Sequence, residues 1–172
     1  MWILLFQGQK AFGACRDVTL EYPVAENEGE EDNTYLSYNM VVGNAADSQM
    51  AMAFEVLDYA LLSAPGAPLK QALLDVKAGK DVYGSYDDGI LQPYFTVIAK
   101  GSNPDRKEEF VSVIRQVLGD IVKNGIDKKA VEAGINYFEF RYREADFSSY
   151  PKGLMYSLDI LGDWLYEKGN PF

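Results

Sequence analysis

The 172 residues include no histidine and one cysteine, Cys15. The missing imidazole removes the commonest zinc ligand, and with it Ser-His-Asp and Cys-His catalysis. A single thiol excludes an internal disulfide and suits a reducing compartment, so a cytoplasmic location is expected. Cys15 has only Arg16 beside it and reads as a buried or incidental thiol rather than a nucleophile. Basic residues are scarce: 16 against 26 acids, a net charge of −10. Such a chain repels phosphate backbones, and its twelve tyrosines lack the basic groove that nucleic-acid stacking normally needs. No apolar run is long enough to span a bilayer, and the apolar start at residues 1–6 lacks a basic n-region. Neither nucleic acid nor membrane is therefore expected as a partner.

What is present suits one globular domain, with 48% hydrophobic and 24% charged residues. The charge is uneven: residues 1–102 hold 6 basic and 14 acidic side chains, and residues 103–172 hold 10 and 12. Residues 1–33 read as an irregular lead-in, with one candidate strand at 18–22. Within it, five acids in the seven residues 26–32 form a self-repelling, solvated loop.

Residues 34–43 predict a strand whose nearly continuous apolar end suggests cover on both faces. Asp47 or Ser48 caps a helix running to about residue 63, with an inner stripe of Met50, Phe54, Leu57 and Leu61 that predicts a well-buried element. Pro65-Gly66-Ala67-Pro68 breaks it, and a second helix covers about 69–78. Strands are predicted at 81–86 and 91–99 around the turn signal Asp87-Asp88-Gly89, and Pro93 suggests an edge strand or a bulge. Three helices follow. The first opens at Asn103 or Pro104 and ends at Gly125. The second starts at Asp127 and carries Val131, Ile135, Phe138 and Tyr142 on its face. The third covers about 152–166, with Leu154, Leu158, Leu161 and Leu165 in its stripe. The order β-α-α-β-β-α-α-α predicts an α+β fold, an antiparallel sheet with helices on one face.

Four patterns invite a chemical reading. The carboxylates of Asp87 and Asp88 could hold a hard cation, but turn chemistry accounts for them. Glu139, Glu144 and Asp146 could supply an acid-base pair, yet Arg141 and Arg143 interleave with them as on a solvated helix. Residues 64–70 lack the Gly-Lys-Ser/Thr ending of a phosphate loop. Tyr137, Phe138, Phe140, Tyr142, Phe147 and Tyr150 are too many for one helix face. They form either a thick core or a second surface, and Tyr137, Phe140, Phe147 and Tyr150 are the candidate interface. No catalytic, cofactor-binding or metal-binding residue is assigned.

From Thr34 onward, several stretches together resemble a known family. They are residues 34–39 (Thr-Tyr-Leu-Ser-Tyr-Asn), residues 55–62 leading into 65–73, Gln92-Pro93-Tyr94-Phe95, residues 143–147, and residues 150–154. The family is that of the insulinase/pitrilysin-type zinc metallopeptidases, in the presequence-protease-like branch, and the match is to the non-catalytic second domain. The resemblance implies a metallopeptidase-type α/β roll over residues 34–172, as a fragment of a larger peptidase. It places zinc in the parent's first domain, on an inverted His-x-x-Glu-His helix that has no counterpart here. It implies a structural role: forming part of a chamber for unfolded peptides and bracing the zinc domain. The expected partners are the remaining parent domains, the peptide substrate of the full-length protein, and a second copy of the exposed fragment. A stand-alone interaction module and a carboxylate-based hydrolase using Glu139, Glu144 or Asp146 are the rival readings.

Overall fold

The computed structural model describes residues 8–25, 29–144 and 149–166. β-Branched and aromatic residues concentrate in Tyr94–Ser102, and this segment, β3, is the central strand. It pairs antiparallel with β1 (Thr34–Val41) on one side and β2 (Asp81–Asp87) on the other, giving the order β1-β3-β2. The register places Leu36, Ala99 and Val82 in one cross-strand row, and Met40, Phe95 and Tyr86 in another. These rows share the face that the helices cover. The opposite face carries the rows Ser37–Ile98–Tyr83 and Asn39–Thr96–Ser85.

The helices α1 (Ser48–Asp58), α2 (Pro68–Asp75) and α3 (Lys107–Asn124) close over the first face. Leu69 and Leu73 of α2 and Phe110 and Ile114 of α3 are fully buried with Val82 and Val97. Asp47 caps α1, accepting from Met50 N at 2.9 Å. Pro68 occupies the first turn of α2 and Gly125, at φ +85°, ends α3. Two further helices follow, α4 (Lys128–Glu144) and α5 (Lys152–Leu165). The predicted order and the α+β class are both observed.

Several details depart from the sequence reading. Residues 18–22 form no strand. β1 is an edge strand with alternating burial, because only one sheet face is covered, and Val41 is exposed. Pro93 belongs to no edge strand: it lies buried just before the central strand, and its carbonyl accepts from Val42 N at 2.8 Å. The sheet's irregularity falls in β1 instead, between Thr34 and Leu36. Met50 and Met52 are exposed, so the first turns of α1 stand clear of the core. The acidic loop is not wholly solvated either. Asp32, at φ +57°, exchanges hydrogen bonds with Asn103 (2.9 and 2.7 Å) and pairs with Lys80 at 3.3 Å. These partners, led by Asn103, hold its carboxyl below the usual range.

The predicted first helix does extend to Ser63, but residues Tyr59–Ser63 form a π-turn, closed by Ala64 N donating to Tyr59 O at 2.7 Å. This wider turn pushes Leu62 and Asp58 onto β2 at Gly84. A Cβ at Gly84 would stand 2.2 Å from Leu62 Cδ1 and 2.5 Å from Asp58 Oδ1. Glycine is therefore required there by close approach rather than by backbone angle. Gly84→Ala is expected to lower stability by about 2 kcal/mol, about 5 °C in Tm. Gly119→Ala, in open space within α3, is expected to raise it by about 0.5–1 kcal/mol. Thermal unfolding of both variants checks the pair.

Candidate interdomain surface

Asp127 starts α4, its carboxylate accepting from Lys129 N at 2.9 Å. The helix docks on α1 and the π-turn through Gly134, where a Cβ would lie 3.2 Å from both Tyr59 Cδ1 and Val56 Cγ1. One turn on, Phe138 is buried at 9% exposure. Tyr137 stacks on Tyr59 with ring centroids 5.1 Å apart, and the Tyr142 hydroxyl donates to Glu55 at 3.1 Å. The buried line of α4 is thus Gly134 and Phe138. Ile135 and Tyr142, predicted for that face, are half exposed because the close approach at Gly134 turns the helix toward its small residue.

The outer side of α4 is aromatic. Phe140 is 67% exposed and Tyr137 is 47% exposed despite its stacking. Tyr150, just before α5, is 63% exposed. Phe147 lies outside the described residues, so three of the four predicted interface residues are placed, all at the surface. α5 also carries exposed apolar side chains. Its predicted stripe of Leu154, Leu158, Leu161 and Leu165 stands between 47 and 55% exposed, and Trp164 adds a further apolar ring. The helix is tied to the rest by polar contacts: Lys152 Nζ donates to the Glu144 carbonyl and the Tyr166 hydroxyl to the Gly89 carbonyl, both at 3.1 Å. An apolar stripe presented to water in this way marks a surface built to be covered.

The polar candidates hold no comparable site. Asp87 is consumed by its turn, accepting from Gly89 N at 2.9 Å and from the Tyr94 hydroxyl at 3.0 Å, which also raises the Tyr94 phenol's affinity for its proton. Glu139 pairs with Arg143 one helical turn away, and Asp146 lies outside the described residues. Cys15 is exposed rather than buried. A shallow depression on α3 is lined by Lys107, Glu108, Val111, Ser112 and Arg115, with no convergent acid-base pair. Among the described residues no three of His, Cys, Asp and Glu converge on a point that could hold a metal, so these residues do not fit a zinc ion. No helix of the described residues is long and apolar enough to cross a membrane.

Comparison with known proteins places the chain in a family. Residues 9–138 match the family model described as the peptidase M16 inactive domain. The chain is 43% identical over 164 residues to Protein HypA of Clostridium perfringens, covering 95% of the chain and 17% of that protein. It is 30% identical over 166 residues to presequence protease 1, chloroplastic/mitochondrial, of Arabidopsis thaliana, covering 95% of the chain and 15% of the relative. The mitochondrial presequence protease of Xenopus laevis is 26% identical over 145 residues, 82% of the chain and 14% of the relative. Among solved structures, the inactive peptidase domain of a candidate zinc protease from Bordetella parapertussis superposes with a TM-score of 0.62 at 13% identity, over 78% of this chain and 76% of that one. The chain therefore spans about a sixth of the curated relatives it matches. The family match begins at residue 9, well before Thr34, so the lead-in shares the likeness; α5 lies beyond its end at residue 138.

The aromatic side chains of α4 differ in what they do for the fold. Phe140→Ser is expected to leave stability within about 0.5 kcal/mol, whereas Phe138→Ala is expected to cost about 3 kcal/mol. Tyr137→Ala, which loses a stacked pair, is expected to fall between, at about 1 kcal/mol. Urea unfolding of the three variants checks the ranking.

Proposed function

The chain belongs to the peptidase M16 family, as its inactive domain, and we propose that it serves as a structural part of a zinc-dependent metallopeptidase that degrades unfolded peptides. In this reading it forms part of the wall of the substrate chamber and braces the zinc-bearing domain. The observation that carries the proposal is the set of exposed apolar side chains on the last two helices, Tyr137, Phe140, Tyr150 and the α5 leucines, on a chain whose described residues hold no group that could bind a metal ion. The identity to two presequence proteases supports placement in that branch. The remaining parent domains are the proposed occupants of the surface. Zinc, together with the general base that activates water, belongs in this reading to the parent's first domain. The residues of this chain contribute position and exclusion of solvent, not proton transfer.

The scarcity of cysteine supports a reducing, cytoplasmic location. Separated from its parent, the chain would bring a second copy onto the same α5 stripe, since a cut apolar face is self-complementary when paired about a twofold axis. Such a dimer competes with docking to the parent.

The test is peptide cleavage by this chain, by the zinc-bearing remainder of its parent, and by their mixture, with bound zinc quantified in each. Activity in the mixture, zinc only in the remainder, and loss of complementation by a Phe140→Ser, Leu158→Ser double variant are the expected results. Cleavage or stoichiometric zinc binding by the chain alone overturns the proposal.

A further inference from the structure

The π-turn carries a carboxyl group that neither the fold's core nor the proposed docking surface uses. Asp58 closes α1, and the widened turn after it leaves this side chain over Gly84 of β2. Asp58 Oδ1 has no accessible surface and no hydrogen-bond partner. Its other oxygen accepts only from Ser63 Oγ, at 3.4 Å, beyond the usual range for a hydroxyl donor. The Thr96 carbonyl oxygen borders the same spot, 3.1 Å from where a Gly84 Cβ would stand. The other side of the turn is the seat of α4, through Tyr59 against Tyr137 and Gly134. One short turn thus has a half-buried carboxyl against the sheet and an aromatic stack against a helix.

The charged and titratable groups on the surrounding elements are engaged elsewhere. Glu55 of α1 accepts from Tyr142 of α4. Lys70 of α2 pairs with Asp81, and Asp75 accepts from Gln71. Glu139 and Arg143 of α4 pair with each other. Tyr86 of β2 stacks on Phe54. Ser63 is the one hydrogen-bond donor to Asp58 among the described residues. Burial pushes its carboxyl above the ordinary aspartate value, and the Ser63 bond offsets this only in part.

We propose that Asp58 is a proton-operated coupling between the sheet and α4: its neutral form seats the π-turn on Gly84 and tightens α4, and its ionised form loosens both. An ionised oxygen at this position has lost water and gained no donor, which is costly. The protonated group is a donor instead, at a site that the Thr96 carbonyl oxygen also borders. The sign follows from linkage. The folded state holds the proton more tightly than the unfolded state. The penalty is therefore complete above the folded-state pKa, declines as pH falls through it, and is gone below the unfolded value near 3.8.

Three measurements on the 172-residue chain test this. Thermal unfolding between pH 4.5 and pH 8 compares the wild type with Asp58→Asn and Ser63→Ala. Asp58→Asn, an uncharged near-isostere, is expected to melt about 2–5 °C above wild type at pH 8, with the gap closing toward pH 4.5. Ser63→Ala is expected to melt below wild type at pH 8 and to rejoin it at low pH. Amide exchange across α4, corrected for intrinsic chemistry, is expected to slow in the wild type as pH falls and to stay level in Asp58→Asn. Parallel melting profiles overturn the proposal, and so does converging melting with α4 exchange that ignores the substitution. Should Asp58→Asn fail to fold, carbon-13 NMR titration of the wild-type aspartate carboxyls decides: a midpoint at or below the ordinary aspartate range for Asp58 also overturns it.

Discussion

The contact between the π-turn and Gly84 is the constraint on which the remaining packing depends. Leu62 and Asp58 reach β2 only because the turn is wider than an α-helical one and because no Cβ stands in the way. The same turn touches α2 and presents Tyr59 to α4. Two glycines on different elements, Gly84 and Gly134, therefore set the spacing of three layers: sheet, α1 with its π-turn, and α4. Layers brought this close are positioned by contact between backbones and short side chains. Such contacts yield less than long, flexible ones would, since close-packed interiors transmit displacement rather than absorb it.

Most of the architecture was legible in the residues because each element states its period clearly. The stripe Phe110, Ile114, Val117 has helical spacing, and the burial of the first two confirms its inward side. Asp47, Pro68, Gly125 and Asp127 mark helix ends by mechanisms that act locally, and all four do so in the structure. What escaped depends on distant partners. Nothing local about Tyr59–Ser63 distinguishes a π-turn from an α-turn; the difference is made by Gly84, more than twenty residues away. Asp32 looks like one more acid in a charged run, and only the fold brings Asn103 and Lys80 to it. On α4 the hydrophobic stripe pointed to Ile135, but the helix buries Gly134, because close approach rewards the absence of a side chain. A glycine one position from an apolar residue, on a helix otherwise rich in aromatics, was the available signal.

The candidate surface was legible in a different way. Counting aromatics over residues 137–150 showed that one helix face could not hold them, and the structure puts Tyr137, Phe140 and Tyr150 outside. The leucines of α5 left one question open. A regular stripe says that a face is covered, without saying whether by the same chain. Here the four leucines of the stripe are exposed.

The absence of a metal-holding group among the described residues and the retention of this fold are physically compatible. A catalytic site demands a few side chains held within about half an ångström of a productive geometry. A wall or brace demands shape, rigidity and an apolar face, all of which come from packing. Substitutions at Gly84, Gly134 or Phe138 would move α4, and with it Tyr137 and Phe140. The residues under strongest physical constraint in this chain are therefore the small and buried ones that orient the aromatic surface, not the carboxylates that a search for chemistry examines first. Asp58 stands apart because it is a carboxylate lodged within that orienting layer, against the glycine on which the layer turns.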